Sequence, residues 1–276
     1  MRIDTGTEEL LCEIEDRVAT VTFNRPEKRN SLSDQLSPAL RELLLVLEAR
    51  ADVGCVLLTG TGPAFCSGGD VSGMGASPDA PHPTDAPKRT PDDRVAELIR
   101  KQEALTLRLY ELAMPTVAAL PGPAVGAGFS IALACDLRVA SPGAFLSSGF
   151  IRIGLSGDYG ASWFLNRLLG QAKAKELMFF SERIGAEEAQ TLGLVNAIFP
   201  EESFRADAFD YAARLARGPA LALRRMKRNL NRGADIGLRE ALALEAEHMV
   251  MSFETEDARE AVRAFLEKRA PEFRYR

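Results

Sequence analysis

"PTVAALPGPAVGAGFSIALACDLRVAS", residues 115 to 141, is the stretch on which the fold class turns. Thr116 to Leu120 is a short apolar run closed by Pro121 and Gly122, the pattern of a strand buried on both faces. "GAGFSIALACD", 126 to 136, reads as a helix of small residues, and "LRVAS", 137 to 141, as the next strand. Strand, helix and strand in direct succession favour an α/β fold with largely parallel pairing.

The same alternation extends outward. "GCVLLTG", 54 to 60, is another apolar run bounded by glycines, and "RVATVTFNRP", 17 to 26, places Ala19, Val21 and Phe23 on one face before breaking at Pro26. Leu36, Leu40, Leu43, Leu44 and Leu47 share a helical face, so Pro38 must lie in the first turn or two, or the helix must begin later than Ser33 suggests. Val95, Leu98, Leu105, Leu109 and Leu112 form the stripe of a second amphipathic helix over 92 to 113. Between them, Val71 to Pro91 is rich in Pro, Ala, Ser and Asp with almost no apolar anchor, and is expected to be a mobile loop, a surface insertion or a lid. From Glu201 the pattern turns helical: one segment over 203 to 217, one opened by Pro219, and one long segment from Gly237 to Lys268. We therefore expect an α/β core over 1 to 200 and a helical region over 201 to 276 that packs on the core or on a neighbouring subunit.

Composition removes several classes of function. The 276 residues are 46% hydrophobic and 26% charged, with a net charge of −5, so no basic stripe exists for a phosphate backbone and no nucleic-acid partner is expected. No apolar run approaches the roughly 18 residues of a membrane span, and the N-terminus has no apolar leader, which suits a cytoplasmic protein. Cys12, Cys55, Cys66 and Cys135 are far apart, as expected of reduced, buried thiols, and no metal site is expected. His82 and His248 are the only histidines, and neither has the context of a triad base.

Three glycine-rich turns, 59 to 70, 120 to 130 and 153 to 162, each follow an expected strand and would deliver free backbone N-H groups to a crevice at the strand ends. None is a nucleotide motif: Phe65 replaces the third glycine of a dinucleotide fingerprint, and no G-K-[ST] is present. "GFSIA" around Ser130 resembles a nucleophile elbow, but a small serine that lets helices approach accounts for it better. In the third turn, "GFIRIGLSGDYGASWFL" (149 to 165) sets Asp158 between glycines amid mostly apolar or small residues. An unpaired acid near apolar walls is costly, so Asp158 either caps the helix that begins about "YGASWFL" or does chemistry.

"NRPEKRNSL" (24 to 32), "LTGTGPAFCSGGDV" (58 to 71), residues 115 to 141, "AKELMFFSERIGAEEAQTLGLVNAIFP" (174 to 200) and "AFLEKR" (264 to 269), in that order, resemble the enoyl-CoA hydratase/isomerase, or crotonase, family. The resemblance implies a crotonase-like spiral of ββα units with a C-terminal helical region, assembled as a homotrimer or hexamer. It implies an acyl-CoA substrate, with coenzyme A part of that substrate and no further cofactor. It places two backbone N-H donors for the thioester oxygen at Gly69 and Ala127, and substrate or CoA contacts at Ser67, Gly68 and Asp70. Arg29 and Lys268 correspond to the family's basic CoA contacts.

The resemblance also marks a departure. The two glutamates of the family's hydratases fall at Ser130 and Phe150, here assigned to the substrate pocket, and neither can move a proton at neutral pH. "IGLSGD" is instead similar to dienoyl-CoA isomerases, whose acid moves a proton, and to an aryl-CoA dehalogenase, whose acid attacks a ring. Dihydroxynaphthoyl-CoA synthases share "YGAS" but keep their acid where this chain has Ser156. The expectation is a double-bond isomerase with Asp158 as acid and base. The alternatives are an atypical hydratase using Asp158 with Ser130, attack by Asp158, and an inert acyl-CoA-binding subunit.

Overall fold

The N-terminal alternation folds as β1 (Arg2–Ile3), β2 (Leu10–Glu15) and β3 (Val18–Phe23), paired antiparallel in that order in the computed structural model, which describes residues 1–70 and 90–275. β4 (Cys55–Gly60), β5 (Thr116–Leu120), β7 (Leu137–Ala140) and β10 (Ala197–Ile198) extend this sheet in parallel from β3. β6 (Ala124–Val125), β8 (Phe145–Ser147) and β9 (Ile184–Gly185) form a second, three-stranded sheet.

The two sheets are filled by one repeated path. β5 lies in the large sheet, β6 in the small one, and α4 (Ala127–Ala134) follows; β7, β8 and α5 (Ala161–Phe180) repeat the order. Among the described residues, earlier turns reach the small-sheet position through single bridges, Leu32 with Gly69 and Cys66 with Ala124. Each turn of the spiral therefore lays a glycine-containing segment beside the one before it.

α1 (Leu36–Glu48) buries Leu36, Leu40, Leu43, Leu44 and Leu47, the expected face, and starts late enough to hold Pro38 in its first turn. Ser33 precedes it, its hydroxyl accepting from the Leu36 N-H at 2.9 Å. β4 is buried along its whole length because the sheet is covered twice. On one face lie Phe23, Leu58, Phe129 and the leucines of α1; on the other, α7 (Phe204–Ala216) packs Phe204, Ala208 and Ala212 against Val18, Leu57 and Val139. α4 is buried at every position, as its small residues imply, and the buried Arg138 donates to the Cys135 carbonyl beyond its last turn at 2.6 Å.

Several expectations are corrected. The stripe over 92 to 113 is broken into α2 (Pro91–Gln102), a π turn (Glu103–Leu107) and α3 (Arg108–Glu111); Leu105, Leu109 and Leu112 are buried, but Val95 is exposed and Leu98 faces a cavity. The third glycine-rich turn follows a 3-10 helix, Phe150–Ile153, instead of a strand. α6 (Ala186–Thr191), α8 (Ala220–Gly233), α9 (Leu238–Phe253) and α10 (Glu256–Glu267) complete the chain. The segment expected as one helix from Gly237 divides because the Thr255 hydroxyl accepts from the Ala258 N-H at 3.1 Å and caps a new helix. All four cysteines are buried, and burial pushes the Cys66 thiol up to about 12. The loop expected over 71 to 91 lies outside the described residues except for Thr90 and Pro91, which open α2.

The apposition of the first two glycine-rich turns depends on missing side chains. A Cβ on Gly128 would lie 2.4 Å from the Cys66 carbonyl oxygen. A glycine-to-alanine change inside a helix ordinarily stabilises by about 0.5–1 kcal/mol. We expect Gly128→Ala to have the opposite sign, a loss of about 1–3 kcal/mol in denaturant titrations. Gly185→Ala, where the new Cβ meets nothing within 4 Å, should be close to neutral.

Candidate active site

The "RNSL" loop is locked to the first glycine-rich turn by one buried amide. Asn30, with φ of 57°, accepts from the Arg25 N-H at 2.9 Å and donates to the carbonyls of Thr61 and Ala64 at 2.9 and 2.8 Å. The chain then runs beside the turn: Leu32 N-H donates to Gly68 O at 2.8 Å, and Asp70 N-H to Leu32 O at 3.1 Å. In this parallel bridge the flanking groups face Leu32, so the N-H of Gly69 is turned to the opposite side and donates to no other described residue.

Ala127 is the first residue of α4, and its N-H is one of those a helix start leaves without an internal partner. Gly126 precedes it at φ of 57°, a left-handed conformation that favours glycine. The two turns touch. A Cβ on Gly68 would lie 3.0 Å from Val125 O and 3.5 Å from the Ala127 nitrogen. Gly69 and Ala127 line one cavity of about 770 Å³ with Asp158. Two N-H groups, one reinforced by a helix dipole, are thus presented to the same space, an arrangement suited to an oxygen that gains negative charge.

Asp158 does not cap a helix. α5 begins at Ala161 behind Gly160, without a side-chain cap, because Tyr159 and Gly160 both take positive φ, 52° and 84°. The carboxyl is half-buried, and its Oδ1 is buried with no hydrogen-bond partner among the described residues. Burial raises its pKa above the ordinary aspartate value. The apolar surroundings come from Phe150, Leu98, Ile153 and Leu155, which line the same cavity.

Eight of the residues singled out in the sequence line that cavity: Asp158, Gly69 and Ala127 with Arg29, Ser67, Gly68, Asp70 and Phe150. Asp70 is held at 3.3 Å by Arg25, and the Ser67 hydroxyl donates to Lys28 O at 3.3 Å. Two do not line it. Ser130 is fully buried behind the wall, its hydroxyl 3.0 Å from Asp158 O and 3.3 Å from Gly126 O, so it orients backbone and does not face a substrate. Lys268 ends α10 at φ of 55°, away from the cavity in the single chain.

Sequence reasoning missed four residues. Arg29 also borders a second groove of about 620 Å³, shared with Arg152 and Arg183. Arg183 lies 4.5 Å over the Phe145 ring. Neither arginine belongs to a periodic pattern, so only the fold gathers them. Gln102 and Arg41 approach Tyr159, next to Asp158. Gln102 had a signal: it is a polar residue placed within the apolar stripe of 95, 98, 105, 109 and 112.

Comparison with known proteins shows the family and the fold. The family model described as enoyl-CoA hydratase/isomerase matches residues 13–276. A probable enoyl-CoA hydratase of Rhodobacter capsulatus is 38% identical, over 95% of this chain and 96% of that protein. The 1,2-epoxyphenylacetyl-CoA isomerase of Escherichia coli is 33% identical, over 96% and 97%. The crystal structure of a putative enoyl-CoA hydratase from Streptomyces coelicolor superposes with a TM-score of 0.87 at 37% identity, over 98% of this chain and 95% of that one. On sequence and fold together, the chain belongs to the enoyl-CoA hydratase/isomerase family and has the crotonase fold.

Proposed function

We propose that this protein shifts a double bond in an acyl-CoA thioester, with Asp158 carrying the proton. The observation that carries the reading is the buried Asp158 oxygen, without a hydrogen-bond partner among the described residues, in the cavity lined by Gly69 and Ala127. The carboxylate removes a proton from the carbon beside the thioester, and the C-H electron pair moves into an enolate. The Gly69 and Ala127 N-H groups hold the enolate oxygen; one such donor is worth about 3–4 kcal/mol of transition-state stabilisation. The double bond migrates as Asp158 returns the proton two carbons further along. Nothing is gained or lost overall, so one acid suffices.

In this reading Ser67, Gly68 and Asp70 border the thioester, and Phe150 walls the acyl group. Arg29, with Arg152 and Arg183 in the adjoining groove, meets the CoA phosphates, for which guanidinium is well matched. No cofactor beyond the substrate's own coenzyme A enters the scheme. Exposed Leu238, Leu242, Phe253, Phe265 and Leu266 on α9 and α10 support assembly as a homotrimer or hexamer, through which Lys268 would approach a CoA site. We place the protein in the cytoplasm; no helix among the described residues is long and apolar enough to cross a membrane.

Hydration is less well supported. It needs a group for water as well as one for the carbon-bound proton, and the Ser130 hydroxyl is already directed at backbone carbonyls.

A panel of enoyl-CoA thioesters followed by mass and ultraviolet absorbance tests the assignment. Conversion without mass change is expected, whereas a gain of one water with solvent oxygen in the product would establish hydration. Asp158→Asn should bind the converted thioester normally and lose roughly 10²- to 10⁴-fold in turnover. An unchanged rate would overturn the role of Asp158. The same variant has an expected stability signature. A carboxyl whose folded pKa is raised contributes stability when protonated, and loses it as pH rises from the unfolded toward the folded value. Asp158→Asn should therefore melt above wild type at neutral pH, with the difference vanishing below the ordinary aspartate pKa.

A further inference from the structure

We propose that Gln102 is a positioning residue that clamps the peptide plane following Asp158, with Ser130 holding the other edge. The inference rests on the reading of Asp158 as the proton carrier.

The C=O of Asp158 and the N-H of Tyr159 belong to one rigid peptide unit. The N-H donates to Gln102 Oε1 at 2.7 Å. The carbonyl faces the Ser130 hydroxyl at 3.0 Å and the Ala161 N-H at 3.3 Å. Both polar ends of the plane are therefore occupied by groups from other elements, α2 and α4, as well as from α5. Fixing that plane fixes the backbone dihedral from which the Asp158 side chain departs, while the carboxyl Oδ1 has no hydrogen-bond partner among the described residues.

The grip is reinforced one residue on. Tyr159 adopts φ of 52°, unfavourable for a non-glycine residue, and persists there only if its surroundings hold it. Arg41 donates to the Tyr159 hydroxyl at 3.3 Å, and its Nε donates to Lys101 O at 3.3 Å, joining α1, α2 and the turn. Gln102 is the last residue of α2, immediately before the π turn, where Thr106 Oγ1 donates to Gln102 O at 3.2 Å. Gln102 stands on the same helical stripe between Leu98, which lines the cavity, and the buried Leu105.

Ser130 lies one helical turn beyond Ala127 on α4. The helix that supplies one oxyanion donor thus also anchors the acid, so donor and acid are held in one frame. That frame matters because a proton must be taken from one carbon and returned to another while the enolate oxygen stays in place. A displacement of about 1 Å can cost on the order of 10²-fold in rate.

The test uses the full-length protein and the enoyl-CoA that wild type converts fastest. Gln102→Met keeps the side-chain length and removes the acceptor, and Gln102→Glu restores an acceptor. We expect Gln102→Met to lower kcat about tenfold or more with KM within about twofold. Gln102→Glu should recover most of the kcat. Wild-type kcat in Gln102→Met, or equal loss in both variants at unchanged melting temperature, would overturn the clamp. Should Gln102→Met fail to fold, Ser130→Ala frees the other edge of the same plane, and the same kcat loss at constant KM is required of it. Asp158→Asn run in parallel separates the two ideas. Full activity there defeats the proton-carrier reading itself, whereas an inactive Asp158→Asn beside a fully active Gln102→Met defeats only the clamp.

Discussion

Everything at this site follows from how closely two backbone segments can approach. The turn through Gly68 and the turn through Gly126 lie in contact because Cys66 bridges Ala124 and no side chain separates them. Gly122 and Gly128 face the backbone of Pro63 and Cys66 at distances that no Cβ could occupy. The consequence is electrostatic. Two turns that pack backbone to backbone expose N-H groups where side chains would otherwise stand, and the start of a fully buried helix adds its dipole to one of them.

Against that fixed frame, Asp158 carries a costly arrangement. Its carboxyl is partly withdrawn from water, which raises its pKa, and one oxygen lacks a partner among the described residues. Folding tolerates the cost because the backbone around it is held on all sides: by Ser130, Gln102 and the first turn of α5. A carboxyl held at that cost and left open on one side is what the proposed proton transfer requires of Asp158.

The sequence made the sheet, the leucine face of α1 and the small-residue α4 legible, because each is a local pattern whose period matches its element. It did not reveal that Asp158 stands clear of the helix cap. That depends on Tyr159 and Gly160 both taking left-handed φ, and a tyrosine there has no local preference for it; Gln102 and Arg41, distant in sequence, accompany that conformation. The expectation that Ser130 lines the substrate pocket comes from the family resemblance, which sets a hydratase glutamate at its position, but the direction of its hydroxyl is set by a turn 28 residues away. Arg152 and Arg183 escaped notice for the same reason, since only the spiral brings them beside Arg29. The break between α9 and α10 had a local signal, the Thr255 cap, masked by helix-favouring residues on both sides.

The central claim is geometric: two turns hold the thioester oxygen and Asp158 faces the carbons that exchange the proton. A crystal structure of Asp158→Asn with an enoyl-CoA bound tests it most directly. The account predicts the thioester oxygen at about 3 Å from both the Gly69 and Ala127 nitrogens. It also predicts the residue-158 carboxamide against the acyl carbons next to the thioester. A thioester oxygen bound elsewhere, or a carboxamide turned away from the acyl chain with both donors occupied, would contradict it.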